Sequence, residues 1–506
     1  MEYRYLGSSF QYQEYHDSCN AKHVHVDDRA QVLLIPPLHR RAAILRLVPH
    51  ARAARINIMA TLSLLVTFAY ASRPPFTGAF PWQRVPTMCQ TSLGGIFTRS
   101  KDIVGTGRLT DAVVTFLAEN YDLIVASDLD PGNKNATCEE SKVAAFANRV
   151  AAVNPHARVL VYNANQLHHG ADVPPPETPP PPGYMCGLDG FRPEWRATYD
   201  NGTAYVTHRT YVHNLSIPAA RAWWLGVVTN KSLGAHVAGV FADGAMDQAP
   251  NWCSAERAAA LLRGQQLLLD EVRAAGKYII FNGLRLAYTR GQHPIARDDF
   301  AAIDTLLPHA SAGYCEPWLS GPYRNVSGAL DAPYATHALL RMINASRTQP
   351  DRGVTFKIGP GQCQGYIAGQ DLGCTWPFAN GTKSEPNKMN GTPLTAAGRR
   401  AAAAKLITFP LATFLCAAGP RWHIDYTWGY TVNDFVPNDN VTGAFPGQPK
   451  LQSNAPDEWY PDLLKAPGTP LGECVYDSAT QSFSREWSGV SVTLSMANET
   501  AELRWK

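Results

Sequence analysis

The chain reads as an α/β protein: a (β/α)8 barrel of the TIM type followed by a small C-terminal antiparallel β module. Three observations predict it. From about residue 88 onward, short β-branched or apolar runs alternate with Ala- and Leu-rich stretches of helical period. Eight such units fit in about 350 residues, and strict alternation demands a parallel sheet, which at that count suits a closed barrel better than an open one. An open doubly wound sheet would carry a Gly-rich phosphate turn after its first strand, and neither G-x-G-x-x-G nor G-x-x-x-x-G-K-[ST] stands there.

Taken in order, the expected strands are Gly94 to Phe97, Leu123 to Ser127, Val159 to Asn163, Val237 to Ala242, Tyr278 to Asn282, Ala310 to Cys315, Val354 to Ile358 and Trp422 to Asp425. Between them the spacing predicts amphipathic helices over Thr110 to Glu119, Glu139 to Val153, Pro218 to Thr229, Ser254 to Ala275, Arg297 to Leu307, Ala332 to Ile343 and Thr395 to Leu406. The segment Gly170 to Asn214, with its Pro tract Pro174 to Pro182, reads as a loop insertion after the third strand. After about Pro467 the period changes to two in Phe483 to Trp487, Val490 to Leu494 and Ala501 to Trp505, with turns at Ser488-Gly489 and Ala497-Asn498. The expected organisation is therefore an N-terminal extension and signal peptide over 1–71, the barrel over 72–466 and the β module over 467–506.

The N-terminal assignment rests on the apolar run Ile56 to Ala71, preceded by Arg52 and Arg55 and ending in the small-x-small tripeptide Ala69-Tyr70-Ala71. It falls short of the ~20 residues a spanning helix needs, so no stable membrane span is expected in the mature chain. Cutting after Ala71 removes eight of 45 basic and five of 42 acidic residues and leaves 37 of each. A neutral product without a basic stripe is not expected to bind nucleic acid. Ten N-x-Ser/Thr sequons, at Asn135, Asn201, Asn214, Asn230, Asn325, Asn344, Asn380, Asn390, Asn440 and Asn498, far exceed the roughly three that chance allows and point to the secretory route. Nine cysteines follow residue 71 without any C-x-x-C spacing, so disulfides are expected rather than structural zinc. Cys363 and Cys374 are the most local candidate pair. Cys416, inside an apolar run, is expected to be a buried free thiol.

Chemistry in such a barrel belongs at the C-terminal ends of the strands. The fourth strand runs into Asp243-Gly244 and the sixth into Glu316, two strands round the same rim. Paired carboxylates can supply a nucleophile or base and a general acid for glycosidic bond cleavage, with a separation of roughly 5 Å giving retention and ~6.5–9.5 Å inversion. Asp243 and Glu316 are the candidate catalytic residues, against the plain readings of a turn-forming Asp-Gly and a solvated loop acid. Tyr162 and Asn282, at the ends of the third and fifth strands, and Trp318, Trp422, Asp425 and Trp428 are expected to bind substrate, the indoles by stacking on a pyranose ring. The plain reading of the aromatics is core packing. Asp128 and Asp247 are further rim acids. His168, His169 and Asp172 could be read as a metal cluster, but no H-E-x-x-H or H-x-x-E-H helix carries them, and neither metal nor cofactor is expected. No G-x-S-x-G elbow offers a serine nucleophile.

The series Tyr121-Asp-Leu-Ile-Val, Val159-Leu-Val-Tyr-Asn163, Arg221-Ala-Trp-Trp224, Gly239-Val-Phe-Ala-Asp-Gly244 and Gly313-Tyr-Cys-Glu316 resembles the glycoside hydrolases of the α-amylase-like barrel group, nearest to the provisional family called hypothetical glycosyl hydrolase fifteen. The resemblance spans about residues 88 to 500. It implies a (β/α)8 barrel with a β-sandwich tail and acids at Asp243 and Glu316. One departure stands out: the fifth strand ends in Asn282-Gly283, so the amylase-type fifth-strand Glu is missing. The expected function is thus a secreted glycoside hydrolase acting on a polysaccharide or glycan. The alternatives are a non-catalytic carbohydrate-binding barrel, favoured by the missing acid, and a metal-dependent polysaccharide deacetylase, which would need a His/Asp ligand set at the rim.

Overall fold

The computed structural model describes residues 82–92, 111–127, 139–164, 192–207, 210–244, 253–284, 300–316, 329–358, 406–426 and 461–506, with short pieces between them, all within the unit 72–506. Eight parallel strands follow one another round the barrel in chain order: β1 (Met88–Ser92), β2 (Leu123–Ser127), β3 (Arg158–Ala164), β4 (Val237–Asp243), β5 (Tyr278–Asn282), β6 (Ala312–Cys315), β7 (Gly353–Ile358) and β8 (His423–Tyr426). A parallel bridge from Thr87 to Ile424, with the Ile424 N–H donating to Pro86 O at 3.0 Å, brings the last strand against the first. The helices between them are α1 (Asp111–Asn120), α2 (Glu139–Val153), α3 (Pro218–Val228), α4 (Ala255–Ala274), α5 (Ala302–Thr305), α6 (Ala332–Thr348) and α7 (Thr408–Ala417).

The strands are buried on both faces, as parallel strands covered by helices must be, and they read as near-continuous apolar runs for that reason. Inward-facing Met88, Leu123, Val125, Leu160, Phe241, Tyr278, Ile280, Ala312 and Tyr314 fill the barrel, while a larger apolar cluster lies between the sheet and the helices. Local signals start the helices where they are seen. Ser254 Oγ accepts from Arg257 N–H at the head of α4, Asp331 caps α6 through Tyr334 N–H, and Pro218 opens α3, where its missing donor is no loss. Gly239 is required in β4, because a Cβ there would run into the Tyr278 backbone of β5.

The C-terminal module is a four-stranded antiparallel sheet of β9 (Val475–Asp477), β10 (Ser482–Glu486), β11 (Val490–Ser495) and β12 (Thr500–Trp505). Period-two alternation buries Phe483, Trp487, Val490, Val492 and Leu494 against α7. The Arg485 guanidinium reaches back to the last turn of that helix and donates to the carbonyls of Leu415, Cys416 and Ala418 at 2.8–3.1 Å, satisfying groups that have no partner within the helix.

Several expectations need correction. The first strand is Met88–Ser92 and not Gly94 to Phe97, a stretch outside the described residues; its Gln90 and Thr91 are buried polar residues that break the apolar signature. Helix α7 occupies the run that contains Pro410, Phe414 and Cys416, apolar on every side and therefore lacking the stripe by which a helix is recognised. The expected helix Thr395 to Leu406 lies mostly outside the described residues. Cys416 is no free thiol: the end of α7 meets the β module, and Cys416 is bonded to Cys474. Cys363 and Cys374 lie outside the described residues. The module also has a fourth strand, β9, whose short exposed run carries little signal.

Candidate active site

Strands β3 to β6 present four polar side chains at neighbouring C-terminal ends. Asp243 closes β4 and Glu316 follows β6 directly; both are half-buried. Asn282, the last residue of β5, stands between them and its amide nitrogen donates to Asp243 Oδ1 at 2.8 Å and to Glu316 Oε2 at 2.7 Å. The two acceptor oxygens are therefore no farther apart than those two distances laid end to end, about 5.5 Å. Tyr162 of β3 stacks its ring on Phe241 at 5.8 Å and donates its hydroxyl to Asp243 Oδ2. The Gly244 N–H adds a third donor, to Asp243 Oδ1 at 2.8 Å. In all three contacts the Asp243 oxygens accept.

Beside this row lies a second polar set inside the barrel, and sequence reasoning missed most of it. Tyr314, two residues before Glu316 on the same strand face, donates its hydroxyl to Asp425 Oδ2 at 2.8 Å and accepts from Gln90 Nε2 at 3.0 Å. Lys357 Nζ stands 3.5 Å from Asp425 Oδ1, and neither side chain of that pair is exposed. Burial first, then the charges of Asp425 and Glu316, holds the Tyr314 phenol well above its ordinary range, so it keeps its proton and serves as a donor. The signals that could have found the set are the i, i+2 spacing of Tyr314 and Glu316 and a lone Lys in the apolar run Val354-Thr-Phe-Lys-Ile.

The other expected site residues divide three ways. Asp425 is brought into the barrel interior, next to Tyr314 and Lys357 rather than on the open rim. Trp318 and Trp422 are fully buried and both pack against Phe356, with ring centroids 4.3 and 5.6 Å away, so neither presents a face to a sugar. Trp422 precedes β8 and so belongs to the end of the barrel opposite the carboxylates. Trp428, Asp128, Asp247, His169 and Asp172 lie outside the described residues. Among the described residues no three His, Cys, Asp or Glu side chains gather closely enough to hold a metal ion, and no helix is long and apolar enough to cross a membrane.

No family model matches the chain. No curated protein matches it either. Solved structures similar to it include a maltogenic α-amylase from Thermotoga neapolitana, at 9% identity and TM-score 0.41 over 82% of this chain and 86% of that one. An α-amylase from Geobacillus thermoleovorans complexed with acarbose is similar at 8% identity and TM-score 0.41 over the same shares, 82% and 86%. The glycoside hydrolase domain of PelA from Pseudomonas aeruginosa is similar at 12% identity and TM-score 0.33, over 54% of this chain and 83% of that one. Likeness of this degree assigns no activity to the chain.

Proposed function

We propose that this protein is a glycoside hydrolase that cleaves a glycosidic bond with retention of anomeric configuration, through Asp243 and Glu316. The observation that carries the reading is the Asn282 amide held between the two carboxylates, which limits the separation of their acceptor oxygens to about 5.5 Å. Carboxyl groups ~5–5.5 Å apart suit a double displacement, whereas inversion needs ~6.5–9.5 Å to admit a water between acid and base. In the first step an Asp243 oxygen attacks the anomeric carbon while the Glu316 carboxyl delivers its proton to the departing glycosidic oxygen, giving a glycosyl ester on Asp243. In the second, Glu316 takes a proton from water, which attacks the same carbon and releases Asp243. Tyr162, Asn282 and the Gly244 N–H hold the Asp243 oxygens in place for attack.

The test is hydrolysis of a panel of glycosides with NMR of the first-formed anomer. Asp243→Asn and Glu316→Gln should each lower turnover at least ~10²-fold on an unactivated glycoside. The Glu316→Gln defect should shrink on an activated aryl glycoside, whose leaving group needs no proton, and the Asp243→Asn defect should not. An inverted product overturns the double displacement, and near-normal turnover of either variant on both substrates removes that residue from the chemistry.

We further propose that the chain travels the secretory route. The apolar run ending in Ala69-Tyr70-Ala71, the ten sequons and the Cys416–Cys474 bond, of a kind that persists in oxidising compartments, support this together.

A further inference from the structure

The geometry points to Trp318 as a positioning residue for Glu316, anchored on the β7 backbone and, through its indole N–H, on Thr413 of α7. Glu316 follows the last residue of β6 directly. Two residues on, the Trp318 backbone N–H donates to Lys357 O of β7 at 2.8 Å. Its indole Nε1–H donates to Thr413 Oγ1 at 3.1 Å. The ring lies flat on Phe356, with centroids 4.3 Å apart and 19° between planes, and meets Tyr323 edge-on at 5.2 Å. Thr413 spends its own hydroxyl proton on Pro410 O at 2.8 Å, which turns an oxygen lone pair toward the indole. Both Trp318 and Thr413 are completely buried, so the bond between them is dry and directional. Leu319 follows at φ +61°, a left-handed conformation that a Leu adopts only where its surroundings impose it. The segment after Glu316 is thus pinned at a single buried side chain tied to two neighbouring elements.

The inference rests on the hydrolase reading for its consequence, since a general acid misplaced by about 1 Å forfeits on the order of 10²-fold in rate. It also gives the C-terminal sheet a part in the site. α7, which holds Thr413, is itself held by Arg485 and by the Cys416–Cys474 bond.

The experiment uses the full chain with Thr413→Val, which keeps shape and removes the acceptor, Thr413→Ser, which restores it, and Trp318→Phe, which keeps an aromatic ring and removes the donor. On an unactivated glycoside, Thr413→Val and Trp318→Phe should lower kcat by about tenfold or more with KM within about twofold, while an activated aryl glycoside should be turned over at near the parent rate. Thr413→Ser should recover the parent values. A purely structural role would lower the melting temperature without changing the dependence on leaving group. A second readout needs no activity: the side-chain amide signals of Asn282 in Asn-labelled protein report where Glu316 sits and should shift in both donor–acceptor variants and return in Thr413→Ser. Folded variants with parent leaving-group dependence and unmoved Asn282 signals overturn the inference. If the parent chain hydrolyses no glycoside, the hydrolase reading falls, and the Asn282 signals alone decide whether Trp318 positions Glu316.

Discussion

Asn282 joins the two rim carboxyl groups through one amide. The resemblance to the α-amylase-like barrels implies an acid at the end of the fifth strand, and its absence favours a non-catalytic reading. The structure gives the position a different use: the amide donates to both Asp243 and Glu316 and holds the two carboxyl groups near each other in one orientation. Hydrogen bonds to charged groups are worth about 1.5–3 kcal/mol each, so Asn282→Ala should lower kcat/KM by about 10- to 100-fold with the circular dichroism spectrum unchanged. Asn282→Asp should do more harm, because it sets a third carboxylate between the first two. A folded Asn282→Ala protein with parent kcat/KM would mean that the bridge has no part in the reaction. That the fourth and sixth strands end in acids was legible from the residues themselves. That Asn282 connects them was not, because an Asn at a strand end reads as an ordinary turn residue.

Strand β8 shows how the interior constrains stability. Its inward residues are His423 and Asp425, both completely buried. Burial, with a smaller contribution from the Arg84 charge, lowers the His423 pKa from 6.5 to about 3, so the folded protein holds the imidazole neutral. The unfolded chain takes up that proton readily below pH 6.5 and the folded chain does not, so the stabilisation is complete above that pH and declines as pH falls toward 3. From pH 7 to 4.5 the parent protein should lose about 2 kcal/mol more than His423→Gln, read from urea midpoints at the two pH values. Equal losses would place the acid sensitivity elsewhere. Among the other elements, β2, β5 and α2 match their expected limits, since β-branched runs and a helical stripe are local patterns. β1 and α7 escaped for the opposite reason: one carries buried polar residues and the other no polar face.

At the scale of the molecule, the proposed secretory route predicts a covalent modification. Asn201 and Asn498 are exposed, the latter in the turn between β11 and β12, and both can carry glycans. Secreted protein treated with an enzyme that strips N-glycans should lose several kilodaltons of apparent mass; an unchanged mass would argue against the secretory route. The sequence alone determined the alternation of strand and helix, the parallel barrel that follows from it, the antiparallel module and the two acids at strand ends. Each of these is written in neighbouring residues, through periods of 2 and 3.6 and the rule that strand ends face one rim. Only the tertiary structure decided that Cys416 bonds Cys474 across 58 residues, that Trp318 packs inside instead of meeting a ligand, and that Tyr314 joins Asp425 across 111 residues and Gln90 across 224. Such pairings depend on which inward side chains a closed barrel sets at the same height, and that height is fixed by the register of strands far apart in the chain.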